Sequence, residues 1–137
     1  MFRNGYLLVQ GILLLAILPL LRDVQGGQWT PITSEVTFQC NNVRTDYSAY
    51  VVGNHPALGN WDPAKAIPLA SASSSTSTST STSTWTGNVL FPGTDDGKDV
   101  EWKCILRHNT IPTDVQWQAD PNNIVKVTFS IKSVGTF

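Results

Sequence analysis

The chain has 137 residues, the length of one domain, with a formal net charge of −1 and 41% hydrophobic residues. That balance excludes the basic face a nucleic-acid partner would need and offers no electrostatic grip on an anionic membrane. Two cysteines and two histidines, with no second ligand at the usual spacing, do not make a zinc site, and no cofactor is expected.

In chain order, the first segment is MFRNGYLLVQGILLLAILPLLRDVQG. Arg3 precedes an apolar run from Tyr6 to Leu21, and Val24 and Gly26 suit a cleavage site. Residues 1–26 therefore read as a secretory signal peptide. A single-pass anchor is the competing reading, but Gln10 and Gly11 interrupt the run and it is short for a span. Cleavage after Gly26 leaves a single domain at 27–137, or 111 of the 137 residues. It keeps seven Lys and Arg (nine less Arg3 and Arg22) and nine Asp and Glu (ten less Asp23), a net charge near −2. The mature protein is expected to be secreted and extracellular, free of the membrane.

Strand signals follow. EVTFQC, AYVVG, WTGNVLF, DVEWKCILR, DVQWQ and IVKVTFSIKSV are short, rich in β-branched and aromatic residues, and bounded by Gly, Pro, Asn or Asp. No window holds a capped helical period. The expected fold class is all-β: an antiparallel β-sandwich or open-sided barrel. Alternation puts Val36, Phe38 and Cys40 on one face and Val100, Trp102 and Cys104 on another. Two inward cysteines in an oxidising compartment predict a Cys40–Cys104 disulfide. Two buried free thiols are the alternative.

Between AYVVG and WTGNVLF every residue from Ser73 to Thr84 is serine or threonine. Such a tract buries nothing that could offset the entropy of ordering. The part before it holds only about two strands, too few to stand alone. The tract therefore reads as a long loop, 73–84, inside one domain. It could carry O-linked sugars, and no N-x-Ser/Thr sequon occurs.

Parts for catalysis are scarce. His55, before Pro56, and His108, before Asn109, read as solvated loop histidines. Neither a G-x-S-x-G elbow nor a glycine-rich phosphate loop is present. Asp95, Asp96 and Asp99 share one polar turn, whereas a glycosidase needs two carboxylates facing across a cleft. The chain is expected not to be an enzyme.

Indole and amide are abundant instead. The five tryptophans are Trp29, Trp61, Trp85, Trp102 and Trp117. Trp85 and Trp102 sit mid-strand among apolar neighbours and read as core. Trp61 in LGNWDP and Trp117 in VQWQADPNN are flanked by turn formers and polar residues, which fits burial poorly. A sugar offers an apolar C–H face to an aromatic ring and a rim of hydroxyls to amides and lysines.

The ordered set VTFQC, AYVVGNHPALGNWDPAKAIPL, WTGNVLFPG, VEWKCILR and VQWQADPNN resembles the starch-binding domain, carbohydrate-binding module family 20, over about Glu35 to Asn123. It looks most like the copies at the C-termini of bacterial maltooligosaccharide-forming amylases, which share a cysteine in the first strand and another after E-W-K. The resemblance implies a β-sandwich of immunoglobulin-like or open-barrel shape that binds starch, glycogen or maltooligosaccharides without cleaving them. It implies a first glucan site of Trp61, Lys103, Trp117 and Asn122, with Gln118 where the family often has glutamate. It implies a second site at Tyr50, whose usual aromatic partner falls in the Ser/Thr tract and is missing; Tyr47 is a conceivable substitute. An amylolytic enzyme is a conceivable partner. Two other readings stand beside this one: a piece of a longer amylase, and an interaction protein that kept the fold and lost the sugar. A signal peptide leading straight into the module, with no catalytic domain after it, argues against the first. The intact first-site set argues against the second.

Overall fold

Alternating apolar residues settle into two facing sheets in the computed structural model, which describes residues 33–72 and 82–137. The signal-peptide reading, Trp29 and the middle of the Ser/Thr tract lie outside the described residues. The strands are β1 (Thr33–Arg44), β2 (Tyr47–Gly53), β3 (Ile67–Pro68), β4 (Ala70–Ser71), β5 (Thr82–Pro92), β6 (Asp99–His108), β7 (Val115–Trp117), β8 (Asn123–Lys126) and β9 (Ile131–Thr136). One sheet runs β4-β5-β1-β9; the other runs β3-β2-β6-β7, with β8 also pairing β6. All pairings are antiparallel except β1 with β9, which is parallel. The expected β-sandwich is what the chain forms.

The core lies between the sheets, because each strand sends every second residue inward. Val36, Phe38 and Cys40 on β1 face Trp102, Cys104 and Leu106 on β6, and all are essentially buried. Trp102 stands edge-on to Phe38, with ring centroids 4.9 Å apart, and its indole N–H donates to Ser133 Oγ at 3.0 Å. A Cys40–Cys104 disulfide ties β1 of one sheet to β6 of the other. Trp85 is half-buried against the same core, its N–H donating to Ser83 Oγ at 2.8 Å.

Two departures from the sequence reading concern strand limits. IVKVTFSIKSV is not one strand, because the chain turns after β8 and Ser130 takes φ 57° before β9. The loop 73–84 is also shorter at its C-terminal end. Thr82, Ser83 and Thr84 belong to β5, with Thr82 opposite Arg44 and Ser83 opposite Val43. Ala72 N–H donates to Thr84 O, which continues the antiparallel pairing of β4 with β5. Threonine's branched side chain suits a strand once a partner backbone is available.

This fixes what can be removed. Replacing residues 73–81 with four Gly/Ser residues is expected to leave stability within about 1 kcal/mol of the parent's, since closure entropy depends on the logarithm of loop length. Extending the deletion through Thr84 removes backbone pairing to β1 and should lower the melt clearly. Equal melts for the two deletions would refute this boundary.

Candidate functional site

The outer face of the β3-β2-β6-β7 sheet carries the candidate site. Across one row, Tyr50 pairs with Ile105 and Ile105 with Trp117; one step along, Val52 pairs with Lys103. Directly paired residues share a face, so Tyr50, Lys103, Ile105 and Trp117 all project from the sandwich on the side away from the disulfide.

Trp61 reaches this region from the connection after β2. Pro56–Trp61 is a 3-10 turn broken by non-helical residues, and Pro63–Lys65 is a second short turn. Three consecutive residues are left-handed: Gly59 at φ 75°, Asn60 at φ 50° and Trp61 at φ 63°. Glycine and asparagine tolerate this region, but a bulky side chain there is strained. A Cβ on Gly59 would also meet the Lys65 carbonyl oxygen at 2.6 Å, so only glycine lets the turn close. Asp62 then caps the next turn, accepting from Ala64 N–H at 2.9 Å.

The outcome is a pair of indoles. Trp61 is half-buried and Trp117 is 43% exposed. Their ring centroids lie 6.5 Å apart with planes inclined by 39°. Lys103 is largely buried along its stem, and its ammonium pairs with Asp120, a carboxylate 92% exposed in the loop after Trp117. The Lys103 hydrogen bond, then its charge, holds the Asp120 carboxyl below the usual aspartate range. Asn122 is half-buried two residues further along that loop. Two tilted rings beside an ammonium, a carboxylate and an amide can grip a flat-faced, hydroxyl-rimmed molecule. No group of three or more His, Cys, Asp or Glu among the described residues could hold a metal ion.

The family model described as starch binding domain matches residues 33–136. The chain belongs to the starch-binding domain family. It is similar to glucan 1,4-alpha-maltotetraohydrolase of Roseateles saccharophilus, 40% identical over 105 residues, covering 74% of this chain and 17% of the relative. The maltotetraohydrolase of Stutzerimonas stutzeri is 36% identical over 113 residues, covering 80% of this chain and 19% of the relative. Among solved structures, the family 20 carbohydrate-binding module of the maltotetraose-forming amylase from Pseudomonas saccharophila STB07 is similar at 38% identity and TM-score 0.57, covering 75% of this chain and 99% of that one. The chain thus spans under a fifth of the curated relatives' length, and their remaining parts lie outside the match.

Within this starch-binding domain, the structure brings Trp61 and Trp117 together and ties Lys103 to the loop that bears Asn122. It does not place Gln118 at the rim. Gln118 is 8% exposed, because the residue after outward Trp117 must point inward. Its Oε1 accepts from Cys104 N–H at 3.0 Å and from Asn123 Nδ2 at 2.8 Å, and its Nε2 donates to Asn123 Oδ1 at 3.2 Å. Gly135 leaves room for this clamp, since a Cβ there would meet Gln118 Oε1 and Asn123 Nδ2 at 2.8 Å. Gln118 therefore fixes the loop rather than presenting an amide to solvent. Gln118→Ala leaves a buried N–H without its partner and should cost roughly 1–3 kcal/mol of stability. A Gln118→Ala protein that melts like the parent yet loses sugar binding would contradict this and favour a direct contact.

Tyr50 is half-buried, and the Arg107 guanidinium lies 4.6 Å from its ring centroid, occupying one ring face. Arg107 also donates to the Pro63 carbonyl oxygen at 2.7 Å. Tyr47 is no substitute: it is 9% exposed, with its hydroxyl donating to Asp114 Oδ2 at 2.6 Å. That bond raises the Tyr47 pKa above its ordinary value and, from the other side, lowers that of Asp114. Asp120, the exposed partner of Lys103, was missed by the sequence reading; its place in ADPN, between Trp117 and Asn122, was the available signal.

Proposed function

We propose that this domain is a secreted, non-catalytic module that binds starch, glycogen or related α-1,4-glucans by stacking a glucan turn on Trp61 and Trp117. The observation that carries the reading is the tilted indole pair, with Trp61 held in a strained conformation outside the core. Strain of this kind persists where surrounding structure enforces it and clusters at ligand sites. Rings inclined to one another suit the curl of an α-glucan, whereas a flat strip would suit a straight β-glucan chain. Lys103, Asp120 and Asn122 supply donors and acceptors for the hydroxyl rim. Tyr50 contributes less, since Arg107 takes one of its faces. The relatives' names place them on 1,4-α-glucans and maltotetraose, which supports the ligand class. The disulfide supports an oxidising compartment and so secretion.

A second reading is favoured by the relatives' length: the module serves an amylolytic enzyme, as an accessory unit or within a longer chain. Affinity electrophoresis in gels containing soluble starch, glycogen or a β-glucan tests the main reading. Retardation by the first two and not the third is expected; equal mobility in all gels would contradict it. Release of reducing sugar from starch by the purified chain would contradict the non-catalytic part.

A further inference from the structure

His55 is not the solvated loop histidine its neighbours in sequence imply. Its Nε2 lies 2.7 Å from Asp95 Oδ2, with the two side chains 16% and 13% exposed. Ala57 N–H donates to its Nδ1 at 3.0 Å. A nitrogen accepting that bond carries no proton, so the neutral ring has its proton on Nε2, where it donates to Asp95. The ring edge meets Phe91 at 4.8 Å between centroids. The His55 carbonyl oxygen accepts from Leu58 N–H at 2.9 Å and Asn60 N–H at 3.1 Å.

All these restraints bear on one segment, the six residues that end at Trp61. Asp95 is itself anchored: Lys98 donates to its Oδ1 at 2.9 Å, and it sits in the Gly93–Asp95 turn between β5 and β6. The hydrogen bond from Lys98, then that from His55, keeps its carboxyl below the ordinary aspartate range. His55 thus ties the turn leading to Trp61 to a turn 40 residues away. The three left-handed residues that follow need such a tether, because a strained backbone relaxes unless its surroundings over-determine it.

We propose that His55, paired with Asp95, is a positioning residue for glucan binding that sets the Trp61 indole at its angle to Trp117. This rests on the platform reading of the two tryptophans. His55 touches no sugar in this account; it acts through the turn.

The test uses three variants and two readouts. His55→Ala removes both anchors, His55→Asn keeps an acceptor for Ala57 N–H, and Asp95→Ala removes the tether alone. The readouts are the dissociation constant for a soluble maltooligosaccharide and the circular-dichroism couplet of the coupled indoles, isolated as the difference between parent and Trp117→Ala. His55→Ala and Asp95→Ala should weaken binding about twofold to thirtyfold. Both should shrink the couplet of the sugar-free protein, and His55→Asn should recover part of both losses. Parent-like affinity and couplet in His55→Ala would overturn the proposal. So would a loss of affinity that merely follows global unfolding in all three variants, without recovery in His55→Asn. Failure of the parent to bind any α-glucan would sink the platform reading instead. It is distinguishable because the couplet reports the effect of His55 without sugar.

Discussion

Replacing Trp61 or Trp117 with alanine is expected to weaken binding of a soluble maltooligosaccharide about tenfold to a hundredfold while leaving the thermal melt close to the parent's. An aromatic anchor that loses its stack costs on the order of 1–3 kcal/mol of binding. Neither ring fills the space between the sheets: Trp117 is 43% exposed and Trp61 sits on a turn outside the core. Trp61→Gly should melt no lower than Trp61→Ala, because glycine adopts the φ of 63° found here without strain. Trp102→Ala is the control. Its ring is wholly buried against Phe38, so truncation should cost roughly 3–5 kcal/mol, most of a small domain's margin. If the two platform variants melt as low as Trp102→Ala, the rings are core and the site is elsewhere.

Reduction of the Cys40–Cys104 bridge should have the opposite signature: lost stability with sugar affinity retained wherever the protein stays folded. The bridge spans 64 residues of sequence, and cross-links of that span stabilise by about 2–4 kcal/mol, chiefly by restricting the unfolded chain. It also pins β1 to β6, the strand whose outer face carries Lys103. Melts with and without reductant, together with thiol labelling of the unfolded, unreduced protein, check both halves. Two reactive thiols per chain before reduction, or a melt indifferent to reductant, would contradict the expectation.

Much of the fold was legible because alternation is a local signal. Val36, Phe38 and Cys40, and Val100, Trp102 and Cys104, announce their faces within five residues, and the structure buries all six. The same rule covers Gln118, which follows an outward tryptophan and so points inward. What was not legible depends on partners distant in sequence. His55 is enclosed only because Asp95 and Phe91 arrive from another strand and turn. Thr82 to Thr84 look like loop by composition and become strand because Val43 and Arg44 lie opposite. The break in IVKVTFSIKSV and the parallel pairing of β9 with β1 answer to sheet topology, which no short window contains. The indole pair falls between these cases. The polar neighbours of Trp61 and Trp117 marked them as unsuited to the core, but their approach to 6.5 Å is made by the turn and the sheet together.

The most direct measurement follows the indole N–H resonances of the parent protein during titration with a soluble maltooligosaccharide. Two of them, assigned to Trp61 and Trp117 through the alanine variants, should shift with one common dissociation constant, while that of Trp102 stays in place. Saturable binding that leaves both platform resonances unmoved, or no binding to any α-glucan, would contradict the account.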